Sequence, residues 1–436
     1  MHRLKPLRLG TLALVLLAAC APAGRAGSPV SPPGPRDPRP GQAFYDTWVR
    51  VDPAAATLDA RSALRFVADE RTAREVGLLL NRGLTVREVR GAAVRSFRSA
   101  RFANDSSQNL ISVELEGVSP GSVVSLEVVY GGKPAFSSDS INGISAGWVE
   151  LALDSQWYPG FSSFDRQMTG TLRVELPPGW SVVGSGAVSR EAGAHVIRNT
   201  VPQIDIAFAA APAFQEQHSG KFTVFYRRSD PALAAAVLGA ATACGGYLDR
   251  RYGARDTLPQ GKFVLAERSG PGYARKNYIV LSQVDAAHPV ELHWFLCHEL
   301  AHYWTADAGV FSPDHWMMEA FAEYTAGRFV RERFGQAEFD RMVARWAAAG
   351  RTAGPVWTPE STRRPSGMAM YRRAPYILSQ LEQRIGTGAF DRFLARYMTE
   401  RITATPVLLD RLREIAGADA EVWFREELAR PAPAVP

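Results

Sequence analysis

The sequence predicts a multi-domain chain: an N-terminal antiparallel β sandwich or saddle-shaped sheet, then a C-terminal α+β domain. Two observations predict this. Between residues 44 and 215, short β-rich runs alternate with clusters of turn residues. From about residue 216 a few more strand-like runs give way to long segments with helical apolar spacing. At 436 residues the chain is long enough for two or three domains.

Taken in order, residues 1–20 read as a targeting segment. His2, Arg3, Lys5 and Arg8 precede a short apolar core from Thr11 to Ala19. A basic region, a short core and small residues before a cut define a secretory signal, and the core is too short to span a bilayer. Leu17-Ala18-Ala19-Cys20 looks like the bacterial lipobox, in which Cys20 becomes the lipidated first residue. Residue 21 is alanine rather than aspartate, which by resemblance to bacterial lipoproteins directs the anchor to the outer membrane. Residues 21–43, rich in Pro, Gly, Ser and Arg, form a tether that cannot bury a core. No later run of eighteen apolar residues appears, so no transmembrane helix is expected.

The N-terminal β domain, 44–215, is drawn from runs such as Ala63–Ala68, Val76–Asn81, Ile111–Glu116, Val123–Tyr130, Trp148–Leu153 and Gly170–Leu176. Turn signals such as Ser119-Pro120-Gly121 and Pro177-Pro178-Gly179 separate them. No chemical cluster stands out there; His195 reads as a surface strand or turn residue. In the second domain, 216–430, strands are expected at Phe222–Arg227, Phe263–Ala266 and Tyr278–Ser282. A long Ala/Leu helix is expected at Pro231–Tyr252, with later helices near 337–348, 374–385, 388–399 and 406–415. Residues 431–436 are a tail.

Hydrophobic residues make up 46% and charged residues 22% of the chain, as in ordinary globular proteins. The net charge of +6 comes from arginines scattered along the chain, not from a basic stripe, so no nucleic-acid partner is expected. Besides Cys20 the chain has Cys244 and Cys297. These are expected as buried thiols, with one disulfide as the alternative.

The chemistry concentrates at Cys297-His298-Glu299-Leu300-Ala301-His302, which reads H-E-x-x-H. On a helix, residues four apart leave the same face, so both imidazoles converge. Paired neutral imidazoles suit Zn²⁺, and the intervening glutamate can take a proton from water. Cys297 lies about 100° round the helix from His298 and off that face. Ser312-Pro313-Asp314 is a helix start, with a hydroxyl cap and proline in the first turn. It leads to Glu319 and Glu323, again four apart. Glu319 reads as the third metal ligand and Glu323 as an outer carboxylate that orients a ligating histidine. His288, His293 and His315 read as structural.

Residues 298–324 resemble the gluzincin metallopeptidases, and more narrowly the membrane alanyl aminopeptidase and leukotriene hydrolase family. That family follows H-E-x-x-H with W-x-x-E-G-x-A-x-Y, matched here by Trp316 through Tyr324. Tyr371-Arg372-Arg373-Ala374, then Leu381-Glu382 and Gly386, are similar to the family's Y-E-K-G and L-E-x-x-x-G. Trp157-Tyr158-Pro159 and Leu176-Pro177-Pro178-Gly179-Trp180 suit its first domain. The resemblance implies a thermolysin-like catalytic domain. One Zn²⁺ per chain would be held by His298, His302 and Glu319, with Glu299 as general base. Tyr371 would donate to the oxyanion, with Tyr376 as the alternative donor. It implies a peptide or protein substrate, and a membrane link through Cys20. Nothing indicates an oligomeric state.

Three departures shape the expectation. The stretch between His302 and Glu319 is shorter than the family's usual one. The family's amine-binding segment, G-x-M-E-N, falls on Gly272, Tyr273, Ala274 and Arg275, with Ala274 in the glutamate's place and Lys276 following. An amine site would thus lose a carboxylate and gain positive charge. The family's C-terminal helical domain has no counterpart, which predicts a cleft open to longer peptides. A zinc metallopeptidase is expected. The alternatives are an aminopeptidase with a non-standard amine anchor, and an inactive zinc-binding lipoprotein that holds a peptide or envelope partner.

Overall fold

The computed structural model describes residues 38–136, 141–228, 231–253, 256–306 and 308–430. The signal segment with Cys20, most of the tether and the tail at 431–436 lie outside the described residues. The first strand starts at Gln42, so the last two residues of the stretch read as tether already belong to a sheet.

The N-terminal region holds three sheets. The largest has seven strands in the order Ala187–Glu191, Ala194–Gln203, Gln167–Glu175, Gln42–Asp52, Thr57–Val67, Val123–Gly132, Leu84–Arg90. Gln42–Asp52 and Thr57–Val67 alternate buried and exposed positions, the period-2 pattern of a sheet with one covered face. Two four-stranded sheets accompany it: Gly160–Phe161, Glu75–Asn81, Gln108–Leu115, Val94–Arg101, and Ser181–Gly184, Phe208–Ala211, Trp148–Leu151, Gly143–Ser145. The expectation of a purely antiparallel domain needs one correction. Gln42–Arg50 pairs in parallel with Gln167–Glu175. More than a hundred residues intervene, ample for the crossover that parallel pairing requires. Tyr45, Trp157 and Tyr158 are fully buried between the sheets, and the Tyr45 hydroxyl donates to the Pro159 carbonyl at 3.0 Å.

The C-terminal region opens with a five-stranded sheet in the order Gln215–Ser219, Phe222–Tyr226, Gly261–Leu265, Tyr278–Leu281, Tyr273–Arg275. The last is an edge strand, antiparallel to Tyr278–Leu281. It escaped sequence reading because three residues are too few to show a period. Among the described residues, eight helices follow the early strands or are interleaved with them: α1 Pro231–Tyr252, α2 Pro289–Ala301, α3 Trp316–Phe334, α4 Gln336–Gly350, α5 Ala374–Ile385, α6 Thr387–Glu400, α7 Thr405–Ala416 and α8 Ala418–Ala429. Helix α8 was not expected. Helix α1 is long and apolar enough to cross a membrane, but Ala234, Val237, Ala241, Cys244 and Leu248 are buried in the protein core.

Cys244 of α1 and Cys297 of α2 form a disulfide, Cα–Cα 5.5 Å, correcting the expectation of two thiols. The two helices pack face to face, so both sulfurs, inert by themselves in a core, meet across the helix interface. The cross-link fixes α2 one residue before His298.

Buried ion pairs join the two regions. Arg275 on the edge strand donates through Nε to Asp205 at 2.8 Å and through a terminal nitrogen to Asp154 at 2.5 Å. Arg268 pairs with the buried Glu150 at 2.7 Å. Such pairs are costly to break from one side, because the partner charge is left stranded.

Candidate active site

Helix α2 carries His298 in its last turn, and His302, the residue that caps its C-terminus, keeps a right-handed helical conformation, so the two imidazoles share one face. Proline at its first position and Glu291 in its first turn suit the helix start. Between α2 and α3, Ser312 accepts from the Asp314 amide at 3.1 Å, and a 3₁₀ turn, Pro313–His315, leads into α3. This turn places Glu319 opposite the two imidazoles.

Three donor atoms meet there. His298 Nε2 and His302 Nε2 are 3.2 Å apart, and each is 3.5 Å from Glu319 Oε2. Four tetrahedral ligands held at about 2.0–2.1 Å from one ion stand roughly 3.3–3.4 Å apart. The triangle therefore has the dimensions of three corners of such a site, and His298 and Glu319 are buried within it. The other nitrogens are occupied. His298 Nδ1 faces Glu323 Oε2 at 3.1 Å, and His302 Nδ1 faces Thr305 Oγ1 at 3.2 Å. With Nδ1 of each ring turned to these partners, both Nε2 atoms face the point where a metal would sit.

Glu323, expected to orient a ligating histidine, does contact His298. It is itself held by Trp346 Nε1 at 2.9 Å and Arg372 at 3.2 Å. Trp346 had no sequence signal as part of the site; Thr305 lay only three residues past His302, and Arg372 only next to Tyr371 in its motif. His315, read as structural, is buried with Nε2 3.5 Å from Glu319 Oε1.

The electrostatics follow from burial and from crowded charges. Burial disfavours a charge on His298, but hydrogen bonding to the Glu319 and Glu323 carboxylates outweighs it and raises the imidazole to about 10. Burial takes His302 down to about 4, with Glu319 opposing in part. For Glu319, burial pushes upward but the His302, His298 and His315 imidazoles hold it well below the usual carboxylate range. Burial raises Glu299 to about 7, against the pull of His298. A carboxylate poised there can both take and return a proton at neutral pH.

Tyr371 lies on a π-helical turn, Ala369–Arg373, immediately before α5. Wide turns of this kind recur at functional sites. Its ring centroid is 6.0 Å from that of His298, and burial together with the Glu319 charge keeps its phenol protonated. Tyr376, the alternative donor, hydrogen-bonds Gln380 at 3.3 Å and lines neither cavity.

Two cavities flank this centre, and Gly272, His298, Glu299 and Tyr371 line both. The larger, about 550 Å³, includes Val284, Asp285, Glu291, Leu292, Trp294 and Phe295 in its walls. The smaller, about 330 Å³, includes Asp154, Gln156, Tyr273, Ala274, Arg275 and Met318. The four residues expected to bind substrate thus all reach the smaller cavity. At Gly272 a Cβ would lie 2.6 Å from the Val280 carbonyl and 2.8 Å from the Phe295 ring, so the edge strand closes on α2 only with glycine there. The expectation of added positive charge is corrected at Arg275. Its guanidinium is buried, paired with Asp154 and Asp205, and lies 4.7 Å from the Tyr273 ring, so its charge is spent within the protein.

No family model matches the chain, and no curated protein sequence matches it. Solved structures do. An M1 zinc metallopeptidase from Deinococcus radiodurans, solved with a Tyr-Ser-Ala substrate, superposes with a TM-score of 0.68 at 21% identity, over 91% of this chain and 96% of that one. Native yeast LTA4 hydrolase gives a TM-score of 0.71 at 16% identity, over 90% of this chain and 68% of that one. The same yeast enzyme in complex with bestatin gives 0.69 at 17%. The fold is therefore the two-domain M1 metallopeptidase fold, a strand-rich N-terminal region followed by a helical C-terminal one.

Proposed function

We propose that the chain is a zinc metallopeptidase that hydrolyses peptide bonds. The observation that carries this is the triangle of His298 Nε2, His302 Nε2 and Glu319 Oε2, sized for one ion and flanked by Glu299 and Tyr371. The donor set, two imidazoles and a carboxylate, is that of hydrolytic zinc sites. Zinc, when bound, supplies Lewis acidity toward the scissile carbonyl and toward water. The protein's own groups do the rest. Glu299 takes the proton from the attacking water and returns it to the leaving amine. Tyr371 donates a hydrogen bond to the oxygen that becomes anionic. Glu323 and Thr305 keep the imidazoles in register. The Tyr-Ser-Ala tripeptide bound to the Deinococcus enzyme supports a peptide as substrate here.

The test is metal content and cleavage together. Purified protein is expected to hold one zinc per chain and to cleave a peptide library, and Glu299→Gln to keep the zinc and lose cleavage. Protein with no stoichiometric metal would sink the reading.

A second reading, an aminopeptidase with an unusual amine anchor, is favoured by Asp154. The glutamate's place is Ala274, yet Asp154 lines the same small cavity beside Glu299, with its side chain 43% exposed. Arg275 neutralises part of its charge and leaves an acceptor surface for an ammonium group. Comparing free-amine with N-blocked peptides decides between the readings.

For location we infer an exported lipoprotein, cut before Cys20 and lipidated there, tethered by the segment that precedes Gln42 on the periplasmic face of the outer membrane. The β domain would then begin at Gln42 and the peptidase domain with the strand Gln215–Ser219, a shift of one or two residues from the boundaries expected from sequence. The Cys244–Cys297 disulfide supports export, since such bonds persist in oxidising compartments. Cys20→Ser is expected to move the protein from the membrane fraction to the soluble periplasmic one.

A further inference from the structure

The larger cavity runs from Glu299 along one face of α2. Glu291, Phe295, His298 and Glu299 share a helical stripe, with Leu292 and Trp294 beside it, and all line the cavity. Glu291 and Glu299 are eight residues apart, about 12 Å along the axis. The floor between them is apolar: Leu292, Trp294, Phe295, and Val284 across from them. The far wall is acidic. Glu291 is exposed in the first turn of α2, and the Asp285 side chain is 59% exposed, with His288 3.8 Å away. The guanidinium on this cavity, Arg372, is engaged by Glu323 at 3.2 Å and by the Tyr371 carbonyl at 2.8 Å. The charge left facing a ligand at the far end is carboxylate.

We propose that this cavity selects peptides with lysine or arginine at the first or second residue on the leaving-amine side of the scissile bond. The proposal rests on the peptidase reading above. The exposed Asp154 carboxylate suits the smaller cavity to the substrate's amine side, which sends the leaving side over α2. One extended residue plus a four-carbon lysine stem spans the distance from Glu299 to Glu291. The stem packs on Leu292 and Phe295 while the cationic end reaches Glu291 and Asp285. The Trp294 and Phe295 rings add cation–π attraction. A leucine fills the floor but leaves the acidic end unused, and an acidic residue is repelled.

The test uses the full chain and two matched peptide libraries, blocked and free at the amine, varied at the first two leaving-side positions. Lys and Arg peptides are expected to exceed Leu peptides in kcat/KM by about tenfold. In Glu291→Gln that ratio is expected to fall about fivefold, and Glu291→Lys is expected to favour Asp and Glu peptides. Cleavage with no basic preference, or ratios unmoved by both substitutions, overturns the proposal and leaves the peptidase reading standing. If no peptide is cleaved, the peptidase reading fails, and titration of Glu299→Gln protein with labelled Phe-Lys and Phe-Leu peptides still decides the cavity. Salt-sensitive binding of Phe-Lys that is lost with Glu291→Gln upholds the assignment, and equal binding of both peptides overturns it.

Discussion

The two cavities share a wall yet differ in kind. Gly272, His298, Glu299 and Tyr371 belong to both. The smaller is assembled from both regions of the molecule, with Asp154 and Gln156 contributed by the β region and Ala274 and Met318 by the C-terminal region. The larger, among the described residues, draws its lining wholly from the C-terminal region: one face of α2, the facing segments 270–272 and 282–285 with His288, and Glu323, Tyr371 and Arg372. The difference teaches that one centre can read its substrate by two devices. On one side a mixed wall carries Asp154 and Arg275, held in an ion pair that crosses between regions. On the other, a helix supplies an apolar floor ending in carboxylates.

The largest expected effects strike the shared wall. Glu299→Gln should lower kcat by about 10²–10⁴-fold, the usual worth of a general base, on every peptide alike. A loss confined to one peptide class would break the idea of a common centre. Tyr371→Phe should lower kcat by about 10²–10³-fold, the cost of one oxyanion donor, with KM little changed. A Tyr376→Phe variant of equal severity would shift that role to the alternative donor.

Smaller effects sharpen the contrast. In the metal-free protein the Glu319 and Glu323 carboxylates hold a proton on His298 up to about 10, whereas burial keeps His302 neutral above about 4. Metal binding at neutral pH must therefore displace one proton, so apparent zinc affinity should rise about tenfold per unit between pH 7 and roughly 9, read by competition with a chelating dye. A pH-independent affinity in that range would remove the argument. Glu323→Gln should weaken zinc binding by about 10- to 100-fold and flatten this dependence, since it removes a carboxylate that holds the proton. Asp154→Asn acts on the smaller cavity alone. It should lower kcat/KM for free-amine peptides about tenfold and leave blocked peptides unmoved, an effect on the scale of one charge-assisted hydrogen bond. Equal loss on both would make Asp154 a structural partner of Arg275 and nothing more.

Much of this was legible locally. The H-E-x-x-H spacing puts two imidazoles on one face whatever surrounds the helix. Ser312-Pro313 marks the start of the segment that carries Glu319. The position of Tyr371 came from resemblance rather than from spacing, and its π-helical turn had no sequence signal. Turn clusters between 44 and 215 announce a strand-rich region, but not its division into three sheets or the parallel pairing of Gln42–Arg50 with Gln167–Glu175. That pairing joins segments more than a hundred residues apart, and no local period encodes it.

What the sequence by itself determined is a set of faces: which side chains leave a helix together and which strands have one side to bury. Backbone geometry repeats over a few residues, so short spacings suffice for that. What only the tertiary structure decided is how those faces meet. The Cys244–Cys297 bond depends on α1 docking against α2. The charge of Arg275, adverse to an amine when read from the chain alone, is cancelled by Asp205 and Asp154 from a distant part of the sequence. The stripe from Glu299 to Glu291 becomes a wall only because the segments 270–272 and 282–285 line the same cavity. Each of these joins residues far apart in sequence, and it is the burial of a common core that brings them together.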